Sequence, residues 1–87
     1  MNAKLYVANL SFDITEEQLR QFFSQAGSVL SVAIPLNHVT SHPRGFALVE
    51  MQSPDEARQA IKLLNGKEMG GYQIRVNEAR APVHFRR

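Results

Sequence analysis

Two stretches of this chain repeat apolar residues at i, i+3, i+4 and i+7, and each does so on one face only. The first is Leu19, Phe22, Phe23 and Ala26; the second is Ala57, Ala60, Ile61 and Leu64. A helix with a single apolar stripe must lay that stripe on a partner, while its other side stays in water. Both stretches carry helix punctuation. Thr15 followed three residues later by Gln18 fits a capping box, Glu16 and Glu17 suit the positive end of the helix, and Gly27 is expected to supply a left-handed stop. Ser53-Pro54-Asp55-Glu56 offers a serine cap, a proline at the first helical position and a glutamate placed to close a second box. Asn65-Gly66 ends that stretch.

The segments around the helices alternate with a period of two, the mark of half-buried strands. From Lys4 to Asn9, Leu5, Val7 and Asn9 fall on one side, Tyr6 and Ala8 on the other. From Gly45 to Met51, Gly45, Ala47, Val49 and Met51 oppose Phe46, Leu48 and Glu50. Val29 to Ile34 is rich in β-branched residues, directs Val32 and Ile34 inward and stops at Pro35. A very short strand over 67–69 and a turn at Gly70-Gly71 precede a last strand, Tyr72 to Glu78, with Ile74 and Val76 inward. The order is β-α-β-β-α-β. Two one-striped helices need only one sheet face, so the chain reads as an α+β fold of the ferredoxin-like, split β-α-β type. It has a four-stranded antiparallel sheet with two helices on one face and the other face open. The expected core is Leu5, Val7, Leu19, Phe22, Phe23, Val32, Ile34, Val49, Ile61, Leu64, Ile74 and Val76.

Eighty-seven residues make one domain. Without cysteine there is no disulfide, thiolate metal site or thiol nucleophile. No apolar run approaches the roughly 20 residues that cross a bilayer, so no membrane partner is expected. The opening residues lack the apolar region of a secretory signal, which makes a cytoplasmic location the expectation. The net charge of +2 and a sequence pI of about 9.4 permit a polyanionic partner.

The helix-free sheet face carries the chemistry. The first and third strands, central in this topology, put Tyr6 and Phe46 there, with Leu48 beside them. Lys4, Arg44 and Arg75 surround the rings, and Gln73 and Asn77 lie on the last strand. Rings stack on unpaired bases, cations meet phosphates, and amides read base edges. Five of the eight acids, Asp13, Glu16, Glu17, Asp55 and Glu56, gather near the helix starts on the opposite side.

Leu5-Tyr6-Val7-Ala8-Asn9-Leu10 resembles the six-residue motif of the RNA recognition motif family. Arg44-Gly45-Phe46-Ala47-Leu48-Val49-Glu50-Met51 resembles its eight-residue motif. The two sit about 38 residues apart on the predicted first and third strands, a specific combination. The resemblance covers residues 4 to about 80 and extends, through Val76-Asn77-Glu78-Ala79-Arg80, to stand-alone single-domain bacterial RNA-binding proteins. It implies a domain over 1–80 with a short basic tail over 81–87. It also implies a cofactor-free, monomeric, non-enzymatic module for single-stranded RNA, with single-stranded DNA a second candidate ligand. Its role would be post-transcriptional regulation, RNA chaperoning or RNA localisation. Tyr6 and Phe46 would stack bases and Arg44 would meet the backbone; Leu48, Lys4, Arg75, Asn77 and Arg80 complete the expected RNA-binding set. Leu48 stands where the family usually has a third aromatic, and the loop over 37–43 lacks the Asp-Arg and Gly common in related bacterial proteins.

Two other functions were set against this one. An acylphosphatase-type enzyme on the same topology needs a phosphate-cradling glycine turn after the first strand, and Leu10-Ser11-Phe12-Asp13 is acidic and glycine-free. A protein-interaction module lacking RNA affinity would resemble family members with an Arg-x-Phe motif before the last strand, where this chain reads Lys67 to Tyr72. His38, His42 and His84 lie in a loop and the tail without cysteine or helical pairing, so no metal site is expected.

Overall fold

β1 (Lys4–Ala8) forms where the alternation places Leu5 and Val7 against the helices and Tyr6 against solvent. The structure is a computed structural model that describes residues 3–11, 13–35 and 45–79. After β1 come α1 (Glu16–Phe23), β2 (Val29–Ala33), β3 (Phe46–Met51), α2 (Pro54–Leu64), β4 (Glu68–Met69), β5 (Tyr72–Gln73) and β6 (Arg75–Glu78). The main sheet runs β2-β3-β1-β6, with every neighbouring pair antiparallel, and β4-β5 forms a small hairpin outside it. The expected split β-α-β architecture is the one present, with β1 and β3 at its centre.

Both helices cover one face, α1 over β2 and α2 over β6 and β3. Between them and the sheet lies the core, built from Leu5, Val7, Val49, Met51, Ile74 and Val76 below and Leu19, Phe23, Ala57, Ala60 and Leu64 above. The expected core differs from this in two ways. Phe22, Val32, Ile34 and Ile61 pack against its margin and stay partly exposed, while Leu10, Ile14, Ala47 and Met69 are buried. Leu10 and Ile14 plug one end of the sandwich from the turn after β1, where Leu10 N–H donates to the Gly45 carbonyl at 2.9 Å.

The helix starts follow the sequence reading unequally. At α1 the box closes: Thr15 Oγ1 accepts from Gln18 N–H at 3.1 Å and Gln18 Oε1 accepts from Thr15 N–H at 2.9 Å. At α2 only half of it forms. Ser53 Oγ accepts from Glu56 N–H at 3.2 Å, but the Glu56 carboxylate accepts from Ser28 N–H at 3.0 Å, joining α2 to the turn before β2. That contact explains Gly27 better than the expected left-handed stop. α1 already ends at Phe23, with Ser24 in right-handed helical geometry, and a Cβ at Gly27 would lie 2.7 Å from the Glu56 carboxyl.

Three strand boundaries also shift. Ile34 falls outside β2, which bulges between Val29 and Ser31. Asn9 leaves β1 in the left-handed region, at φ 62°, and does not point into the core. The predicted final strand divides at Ile74, whose N–H donates to the Lys67 carbonyl and whose carbonyl accepts from Gly66 N–H. The β4-β5 turn is of the mirror-image hairpin type, with Gly70 at φ 63° and Gly71 at φ 91°, the conformation that two glycines permit.

Candidate nucleic-acid interface

Strand register turns the open face into ordered rows. In the middle row Ala33, Leu48, Tyr6 and Asn77 stand side by side on β2, β3, β1 and β6. One row toward the start of β3, Phe46, Ala8 and Arg75 are neighbours; one row the other way, Ser31, Glu50 and Lys4 are. Tyr6 and Phe46 are therefore diagonal partners, with Ala8 too small to separate them. Their ring centroids are 5.2 Å apart and their planes tilted by 32°. Tyr6 keeps 36% of its surface exposed, although it belongs to a central strand. No helix of the described residues crosses this side, so the two rings offer one shallow aromatic step.

Six of the eight residues expected to bind converge here: Tyr6, Phe46, Leu48, Lys4, Arg75 and Asn77. Arg44 and Arg80 lie outside the described residues, as do the histidines at 38, 42 and 84 and the tail over 81–87. Among the described residues no group of three or more His, Asp or Glu is placed to hold a metal. Nor is any helix among them long and apolar enough to cross a membrane.

The face holds further features beside the rings. Next to the middle row a pocket of ≈ 230 Å³ opens between β2, β3 and β1, lined by Lys4, Ser31, Ala33, Leu48, Glu50 and Ala79. Glu50, on the open side as the alternation predicts, stands opposite Lys4 but is not among the residues the sequence marks for binding. Ser31 Oγ donates to Glu50 Oε1 at 3.4 Å, and Ala79 N–H donates to the Lys4 carbonyl at 2.9 Å. Ser31 and Ala33, two residues apart, share this face opposite the inward Val32, after a bulge that shifts the register between Val29 and Ser31. At the opposite corner Asn9 Nδ2 donates to the Gln73 carbonyl at 2.8 Å, tying the end of β1 to β5 beside Arg75. A second pocket of ≈ 230 Å³ lies there between Asn9, Asn65, Gln73 and Arg75.

Fold and face together define a βαββαβ domain whose open sheet side, among the described residues, carries an aromatic pair at its centre. The chain belongs to the RNA recognition motif family, whose model matches residues 5–75. It is 45% identical over 76 residues to RbpB, a Nostoc sp. protein named for RNA binding, a match that covers 87% of this chain and 74% of that one. It is 44% identical over 79 residues to the chloroplastic 33 kDa ribonucleoprotein of Nicotiana sylvestris, covering 91% of this chain and 24% of that protein. The chain thus spans about a quarter of the length of the chloroplast relative. Among solved structures, the Sxl-lethal protein/RNA complex superimposes with a TM-score of 0.82 at 37% identity, covering 88% of this chain and 47% of that one.

Proposed function

We propose that this domain binds single-stranded RNA on the open sheet face, with Tyr6 and Phe46 stacking consecutive bases, Arg75 meeting phosphates and Lys4 adding a cation beside the rings. The observation that carries the reading is the diagonal ring pair, 5.2 Å between centroids at the centre of the sheet, with no described helix over it. A ring on such a platform is worth about 1–3 kcal/mol per stacked base. Leu48, directly across from Tyr6, replaces a third ring by an apolar contact. Arg44 and Arg80 join the cation set by resemblance, Asn77 supplies an amide beside Tyr6, and the domain acts as a monomer without a cofactor. The RNA-bound relative and the RNA-binding names of the others support the same ligand. Post-transcriptional regulation, RNA chaperoning and RNA localisation are the roles such a surface serves, and single-stranded DNA can use the same rings because stacking ignores the ribose.

Fluorescence anisotropy with a labelled oligonucleotide tests this directly. Phe46→Ala, folded by circular dichroism, is expected to weaken binding by roughly 5-fold or more, the low end of the stacking range. Binding indifferent to the substitution rejects the platform. A chain that binds no oligonucleotide yet self-associates on gel filtration supports the protein-interaction reading instead.

A further inference from the structure

The pocket beside the rings is built for a particular kind of base edge. Its walls include the apolar side chains of Ala33 and Leu48. Its rim carries a carboxylate and an ammonium, on Glu50 and Lys4, which are register partners across β3 and β1. A phosphate is a poor occupant, because the Glu50 carboxylate repels it, so what meets Glu50 must bring hydrogens. A carboxylate only accepts, and a lysine ammonium only donates, with three hydrogens to distribute. The complementary edge therefore reads acceptor, donor, donor. Guanine alone among the four bases has it: O6 accepts, while N1–H and N2–H₂ donate in parallel toward the two carboxylate oxygens. Uracil places a carbonyl on each side of its single N–H, and one of these would face Glu50. Cytosine and adenine set a ring acceptor next to their amino group.

Resting on the RNA-binding reading above, we infer that the Ser31–Glu50–Lys4 pocket selects guanine for the nucleotide adjoining the Tyr6–Phe46 stack. Ser31 steers the carboxylate through its hydroxyl, which donates to one lone pair of Glu50 Oε1 at 3.4 Å and leaves that oxygen's second lone pair, together with Oε2, to the base. A well-formed bidentate base contact discriminates by about 1–3 kcal/mol, or roughly 5- to 150-fold.

The test uses the whole chain and four labelled octamers: all-uridine, and the same sequence with one internal guanine, adenine or cytosine. The guanine octamer is expected to bind at least about 10-fold tighter than the all-uridine one. In Glu50→Gln, an isosteric change, the amide donates where the carboxylate accepted, so the preference for guanine falls to within about 2-fold of uracil or reverses. Lys4→Met, which removes the donor to O6, is expected to reduce the preference as well and serves if the first variant does not fold. Equal binding of all four octamers, or an undiminished guanine preference in folded Glu50→Gln, overturns the inference and leaves the stacking platform standing. Failure of every octamer to bind the unmodified chain overturns the RNA-binding reading itself, and the pocket assignment with it.

Discussion

On the proposed stacking platform, Leu48 is the residue whose substitution should move binding strength upward. It stands directly across β1 from Tyr6, at the centre of the four-residue middle row, and offers a stacking base a smaller, non-aromatic contact. Leu48→Phe would place a third ring within reach of the two present, and an added base–ring stack is worth about 1–3 kcal/mol. Affinity for an RNA octamer measured by anisotropy is expected to rise about 5-fold or more, with little change in melting temperature because the side chain is only half-buried. An unchanged affinity would mean that ligand bases do not pass over the middle row. The same alternation that exposes Tyr6, Phe46 and Leu48 buries their neighbours Leu5, Val7, Ala47 and Val49, so the platform and the core are two faces of one pattern.

At the scale of elements, the Glu56–Ser28 bond is the contact that ties α2 to the turn between α1 and β2. Its net worth is about 1 kcal/mol, and Gly27→Ala attacks it from the other side by occupying the space of the Glu56 carboxyl. Urea denaturation of Gly27→Ala, Glu56→Ala and the double variant is expected to give a combined loss smaller than the sum of the two, by roughly 0.5–1 kcal/mol. Strict additivity would show that they share no contact. Sequence alone pointed to a local box here, since Ser53 and Glu56 are three residues apart; the competing partner, Ser28, is 28 residues away in the chain and invisible to local spacing. The core shows the same division between what is local and what is not. Helix stripes and strand alternation marked Leu19, Phe23, Val49 and Ile74 correctly. They overrated Phe22 and Ile61 and left out Ala47, because which stripe residue sits deepest depends on how closely helix and sheet approach. Leu10 and Ile14 were missed since they fill the core from a turn, where no period operates. Within the site, the ring pair was legible because two motifs and two strand parities agreed. The Ser31–Glu50 pocket was not, because it depends on which residues of β2 and β3 stand opposite one another, and alternation within a strand does not give that register.

Over the molecule as a whole, charge is small in sum and uneven in placement. The net charge is +2, yet Asp13, Glu16, Glu17, Asp55 and Glu56 stand in or beside the first turns of helices on the covered side, while Lys4 and Arg75 lie on the open face. A ligand meeting about three cations displaces counterions from as many phosphates. The slope of log affinity against log salt for a single strand is then expected near −2, checked by titrations at several salt concentrations. A slope near zero would point to a contact without phosphates.

The main sheet also has two outer margins. On β6 the N–H of Val76, turned away from β1, donates to Asn65 Oδ1 at 2.9 Å; on β2 the strand is broken by its bulge, and the Val29 carbonyl accepts from the Arg20 guanidinium at 3.2 Å. Among the described residues neither margin presents an unbroken run of main-chain groups for a foreign strand to zip onto. Two such sheets set edge to edge would find no continuous ladder, along the described residues, through which one could extend into the next.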